Sequence, residues 1–163
     1  MSPVRRNYRR RNGVMPVGER HELPNRVLLG MAREMIREGH TATIAVKGYS
    51  MRPFLEHERD KVVLDAPREL KVGDAVLAEI FKDHYVLHRI IDIQGDRITL
   101  MGDGNIRGTE TCRRSDVAGI VTHYLRPGRT LEASDPQLQS RIRLWRRLLP
   151  VRRYLLFIYK VIV

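Results

Sequence analysis

Ala75-Val76-Leu77-Ala78-Glu79-Ile80-Phe81, Lys82-Asp83-His84 and Tyr85-Val86-Leu87-His88-Arg89-Ile90-Ile91-Asp92-Ile93 together decide the fold. Two apolar, β-branched runs flank a short polar tip, which is the pattern of a hairpin and not of an amphipathic helix. The same punctuation continues on both sides. Thr41 to Val46 alternates and ends at Gly48, and Asp60 to Leu64 is a short strand closed by Ala66-Pro67. Leu70-Lys71-Val72-Gly73-Asp74 turns the chain into the hairpin, and Gly95-Asp96 turns it into a strand over Arg97 to Met101. Val117 to Leu125 is the last long apolar strand, closed by Arg126-Pro127-Gly128. Short strands at such spacing predict a mainly β, antiparallel, partly closed barrel-like sheet.

Helices are expected at the two ends of this sheet. Val27, Leu28, Met31, Met35 and Ile36 recur at three- and four-residue spacings, with Asn25 as N-cap and Gly39 as stop. Ile142, Trp145, Leu148 and Leu149 are also helix-spaced, until Pro150 breaks or restarts the turn. The organisation expected is a flexible basic arm over 1–24, a β domain with its leading helix over 25–128, and a basic, apolar helical extension over 129–163.

The chain has 163 residues, enough for one domain with extensions. Cys112 is the single cysteine, which excludes an intrachain disulfide and fits a reducing compartment. No run approaches the roughly 20 apolar residues of a membrane span, and the arginine-rich start has no apolar stretch behind it. A cytoplasmic location is expected. The net charge of +11 resides at the ends, with Arg5, Arg6, Arg9, Arg10 and Arg11 before the sheet and no acid after Asp135. Such ends suit anionic partners. The near-apolar stretch Tyr154 to Val163 with its upstream arginines reads either as a helix packed on the barrel or as one lying on an anionic membrane surface. Nucleic acid is the weaker partner, because aromatics are few and no reader motif is present.

Two residues could carry chemistry. Ser50 follows Gly48 and precedes Pro53, a turn able to hold a side chain rigidly and to aim backbone N–H groups. A serine hydroxyl needs a base, and His88 lies in a run too apolar for a surface loop. Singly, each has an ordinary explanation as a turn serine and a core histidine. His84 and His88 are four apart, which on a strand separates them by roughly 13 Å. No cysteine pair accompanies them, so neither metal nor cofactor is expected.

The combination is more specific. Gly48-x-Ser50-Met51-x-Pro53, Val72-Gly73-Asp74, Leu87-His88-Arg89-Ile90, Gly102-Asp103-x-Asn105 and Val117-Ala118-Gly119-Ile120-Val121 occur in the order seen in signal peptidases. Over residues 41 to 125 the chain resembles the signal peptidase / LexA-like serine peptidases, in the branch of endoplasmic-reticulum type whose base is histidine. The resemblance implies Ser50 as nucleophile and His88 as general base, with Asp103 or Glu110 as the acid that orients the imidazole. It implies cleavage of a peptide or protein with small residues near the bond. The N-terminal membrane helix of signal peptidases and the DNA-binding domain of LexA-like proteins have no counterpart in this sequence. The alternative is a catalytically silent peptide-binding or maturation-accessory module of the same fold.

Overall fold

The computed structural model describes residues 25–163, so the basic arm expected over 1–24 lies outside the described residues. Helix α1 (Asn25–Arg37) leads into strands β1 (Ala42–Ala45), β2 (Lys61–Asp65), β3 (Ala75–Phe81), β4 (His84–Gln94), β5 (Arg97–Met101), β6 (Glu110–Arg113), β7 (Val117–Arg126) and β8 (Arg129–Glu132). Helices α2 (Pro136–Arg147) and α3 (Arg152–Ile162) follow, joined by a 3-10 turn at Leu149–Val151. All pairings are antiparallel, in the order β1-β2-β7-β3-β4-β5-β6 with β8 on β7. The sheet curls without closing. The fold is the mainly β, partly closed architecture expected, with helices at both ends. Among the described residues no helix is long and apolar enough to cross a membrane.

The curl divides the interior. On β3, Ala75 and Leu77 enter the larger core, with α1, β1, β2, β7 and α2, whereas Val76 and Ala78 enter a second core with Ile90, Ile98, Leu100 and Cys112. Alternate residues of a strand face opposite sides, so a strand in contact with both cores is apolar throughout. This is why 75–81 reads as a continuous apolar run.

Helix α1 buries a different face from the one its larger side chains suggest. Leu29, Ala32 and Ile36 are buried, while Val27, Leu28, Met31 and Met35 are exposed. Small Ala32 lets the helix approach the sheet. At Gly119 of β7 a Cβ would lie 2.8 Å from Ile36 Cδ1 and 3.2 Å from Asp65 O, so a larger residue there would displace the Ile36 side chain from its seat. The helix ends in a Schellman motif: Gly39 (φ +88°) donates to Ile36 O and His40 donates to Met35 O.

Two strands extend beyond the sequence expectation. β6 was not foreseen, and β8 carries the sheet past residue 128, so the helical extension begins at Pro136 and not at 129. Asp135 caps α2, accepting from the Leu138 N–H at 2.9 Å.

Candidate active site

The three residues that meet come from three separate elements. Ser50 follows β1 in a turn entered through Gly48 (φ +81°), whose N–H donates to His57 Nδ1 at 2.8 Å. Phe54 and Leu55 donate their N–H groups to Met51 O, and Met51, Phe54 and Leu55 are buried in the larger core. Apolar anchoring just after the serine fixes its position.

Sheet register brings the other two together. Ile90 on β4 faces Leu100 on β5, and Leu100 faces Glu110 on β6. Cross-strand partners share a face, and His88 lies two residues from Ile90 on that same face. Glu110 can therefore reach His88 diagonally across β5. His88 Nδ1 is 2.9 Å from Glu110 Oε2, and His88 Nε2 is 3.1 Å from Ser50 Oγ. An ionised carboxylate only accepts, so Glu110 selects the tautomer in which Nδ1–H donates to it. That leaves the Nε2 lone pair to accept from the Ser50 hydroxyl. The His88 side chain is 8% exposed and that of Glu110 27%, which keeps the imidazole largely out of water while the carboxylate remains partly solvated.

Asp103, the other acid offered by the sequence, is not beside His88. Arg89 Nε donates to its Oδ1 at 2.8 Å and Arg89 NH2 to its Oδ2 at 2.6 Å, while Arg89 NH1 donates to Gly73 O at 2.8 Å. Arg89 is buried and stacks over the Phe54 ring, 5.4 Å from its centroid. Burial opposes its charge, and the Asp103 carboxylate together with the Tyr124 side chain more than offsets this, so the guanidinium pKa is raised above its ordinary value. Neighbouring strand residues point to opposite faces, so His88 meets Ser50 while Arg89 pins the loop behind it.

That loop forms the seat of the serine. Gly104 donates its N–H to Ser50 O at 2.7 Å. A Cβ on Gly104 would lie 2.5 Å from Tyr49 O, and one on Gly102 2.5 Å from Ser50 O, so both glycines permit backbone-to-backbone contact. From outside, Trp145 Nε1 donates to Asp103 O at 2.8 Å and Arg152 NH1 to Asn105 O at 3.1 Å. The sequence offers no role at the site for Arg89, Gly104, Trp145 or Arg152, although Arg89 lies in the Leu87-His88-Arg89-Ile90 motif and Trp145 in the helix-spaced apolar set. Arg89 carried a signal, because a charged residue inside an apolar strand requires a buried partner.

Ser50 and His88 open onto a groove of about 150 Å³, lined by Ile44 to Lys47 on one side and Tyr85 to Leu87 on the other. Among the described residues the Ser50 N–H enters no hydrogen bond, which leaves it available to an oxyanion. His84 is remote from this chemistry and stacks on Phe81, with ring centroids 4.4 Å apart. Among the described residues no three His, Cys, Asp or Glu side chains cluster as metal ligands. Comparison with protein-family models, with curated proteins and with solved structures gives no match.

Proposed function

We propose that this chain is a serine endopeptidase of the signal peptidase-like, histidine-base kind. The observation that carries the reading is the chain of contacts Ser50 Oγ–His88 Nε2 (3.1 Å) and His88 Nδ1–Glu110 Oε2 (2.9 Å) at a groove. Ser50 Oγ attacks the peptide carbonyl as its proton passes to His88 Nε2. The oxyanion accepts from the Ser50 N–H, and Glu110 stabilises the imidazolium through Nδ1–H. His88 then gives the Nε2 proton to the departing amine, and the C–N bond breaks to leave an acyl ester on Ser50. A water attacks that ester with His88 again as base, releasing the carboxyl fragment and restoring the hydroxyl.

The groove supports an extended substrate. Among the described residues β1 pairs only with β2, so its other edge can hold a peptide as an added strand. A cavity of about 150 Å³ suits a small side chain next to the scissile bond.

We also propose a cytoplasmic location, in peripheral contact with an anionic membrane surface. Helix α3 is apolar on two sides: Leu155, Leu156 and Tyr159 are half-buried beside the buried Arg152, while Tyr154, Phe157, Ile158 and Val161 are exposed. A second i, i+3, i+4, i+7 apolar stripe facing outward, with cations and no acid after Asp135, suits an interfacial helix.

The test is mass spectrometry of peptides presenting Ala and Gly around a candidate bond. Wild type should yield two fragments, and Ser50→Ala and His88→Ala should each lower turnover at least about a thousandfold without unfolding. Cleavage by Ser50→Ala at the wild-type rate would overturn the mechanism. Retention of peptide with no turnover at any pH would instead identify a silent binding module.

A further inference from the structure

A second cavity, larger than the groove at Ser50, lies between α2 and the β7–β8 hairpin and has a volume of about 300 Å³. Its floor is apolar, formed by Phe54, Leu131, Leu138 and Trp145, and Phe54 meets Trp145 edge-to-face with ring centroids 6.4 Å apart. Its rim is cationic, with Arg126, Arg129 and Arg141. The one acid in the lining, Asp135, is engaged in capping α2.

The cations are undercommitted. Arg126 donates through NH2 to Phe54 O at 2.6 Å, but its Nε is buried without a hydrogen-bond partner. A buried N–H without an acceptor is costly, and native structures normally satisfy such groups. Arg129 and Arg141 form no ion pair with the described residues. Guanidinium groups gathered at the mouth of an apolar cleft match an oxyanion carried on an apolar body. The volume is at the small end for a ligand pocket.

We propose that this cavity binds a small anionic amphiphile, its carboxylate or phosphate held by Arg126, Arg129 and Arg141 and its alkyl or aryl body lying on Phe54, Leu138 and Trp145. A second copy that docked through α2 or α3 would present arginines to arginines. The sequence Arg5 to Arg11 carries the same wrong sign. Phe54 and Trp145 also support the Ser50 turn and its loop, but anion binding here does not require Ser50 to act as a nucleophile.

Trp145 is the only tryptophan of the chain and lines the cavity, so its emission reports occupancy. The full chain is titrated with decyl phosphate and decanoate below their micelle concentrations, with decanol, and with vesicles of phosphatidylglycerol or phosphatidylcholine. The expected result is a saturable change with both monomeric anions and at least about tenfold weaker binding of decanol. The double variant Arg129→Gln/Arg141→Gln, which alters exposed side chains, should weaken the anions about tenfold or more while urea unfolding stays unchanged. Equal affinity for decanol and decyl phosphate, or no saturable change with any monomer, would overturn the site. A response to phosphatidylglycerol vesicles alone, undiminished in the double variant, would assign the signal to membrane docking and overturn it equally.

Discussion

Replacing Asp103 by Asn and Glu110 by Gln should separate two roles that the sequence leaves joined. Arg89 and Asp103 have side chains 1% and 3% exposed and share two hydrogen bonds, at 2.8 and 2.6 Å. Asp103→Asn removes the carboxylate that is hydrogen-bonded to a buried guanidinium, leaving it Gly73 O, the Phe54 ring, the Tyr124 side chain and the more distant charge of Asp74. Breaking one side of a buried pair costs about 3–5 kcal/mol, a large fraction of the roughly 5–15 kcal/mol that holds a domain together. With a urea slope of about 2 kcal/mol per molar, the unfolding midpoint should fall by about 2 M. Equilibrium unfolding followed by Trp145 emission and far-ultraviolet circular dichroism measures this. Glu110→Gln should behave in the opposite way. Its side chain is 27% exposed, so the midpoint should move by less than about 0.5 M. The amide can turn its NH2 toward His88 Nδ1 and select the tautomer whose Nε2 already carries hydrogen, so peptide turnover should fall about a thousandfold or more. A Glu110→Gln variant within tenfold of wild-type turnover, or an Asp103→Asn variant of unchanged midpoint that has lost turnover, would refute the assignment of roles. The double variant Arg89→Met/Asp103→Leu removes both charges and should regain much of the stability lost in Asp103→Asn.

The outward stripe of α3 should bind anionic vesicles: Phe157→Glu, at a position 68% exposed, should abolish co-sedimentation with phosphatidylglycerol vesicles while leaving the unfolding midpoint unchanged. Binding that persists in this variant would argue against the interfacial helix. The acid limb of stability should involve Glu56, whose carboxyl is held below the usual carboxylate range chiefly by the paired hydrogen bonds from Arg52, against the cost of burial, with help from the Tyr159 hydroxyl. A depressed folded pKa contributes stability that is present above the unfolded value of about 4.3. It is lost as pH falls through the folded value. Glu56→Gln should therefore lose more stability at pH 7 than at pH 3, measured as urea midpoints at the two values; an equal loss at both would remove Glu56 from the acid limb.

Strands were legible where a turn residue and a change of polarity coincide. Ala75–Phe81 and Arg97–Met101 match their expected bounds because Gly73-Asp74, the Lys82-Asp83 tip and Gly95-Asp96 all punctuate the chain locally. β6 and β8 escaped because each has four residues, and only Cys112 in the first is buried, while Leu131 in the second is half-buried. Such strands are specified by their neighbours and not by a period of their own. The choice between Asp103 and Glu110 was illegible for a related reason. It depends on register across β4, β5 and β6, and the strand that carries Glu110 was one of those missed. On α1 the large exposed methionines concealed the face that small Ala32 actually packs.

The fastening of the Gly102 to Asn105 loop by Trp145 and Arg152 bears on the order in which the molecule is made. Synthesis delivers the N-terminal parts first. Ser50, His88 and Glu110 therefore leave the ribosome before the two side chains that clamp the loop donating to the Ser50 carbonyl. A growing chain holds all three side chains before it holds their seat. Tethering the support of Ser50 to α2 and α3 therefore means that its seat is completed only after these two helices have followed the sheet out of the ribosome.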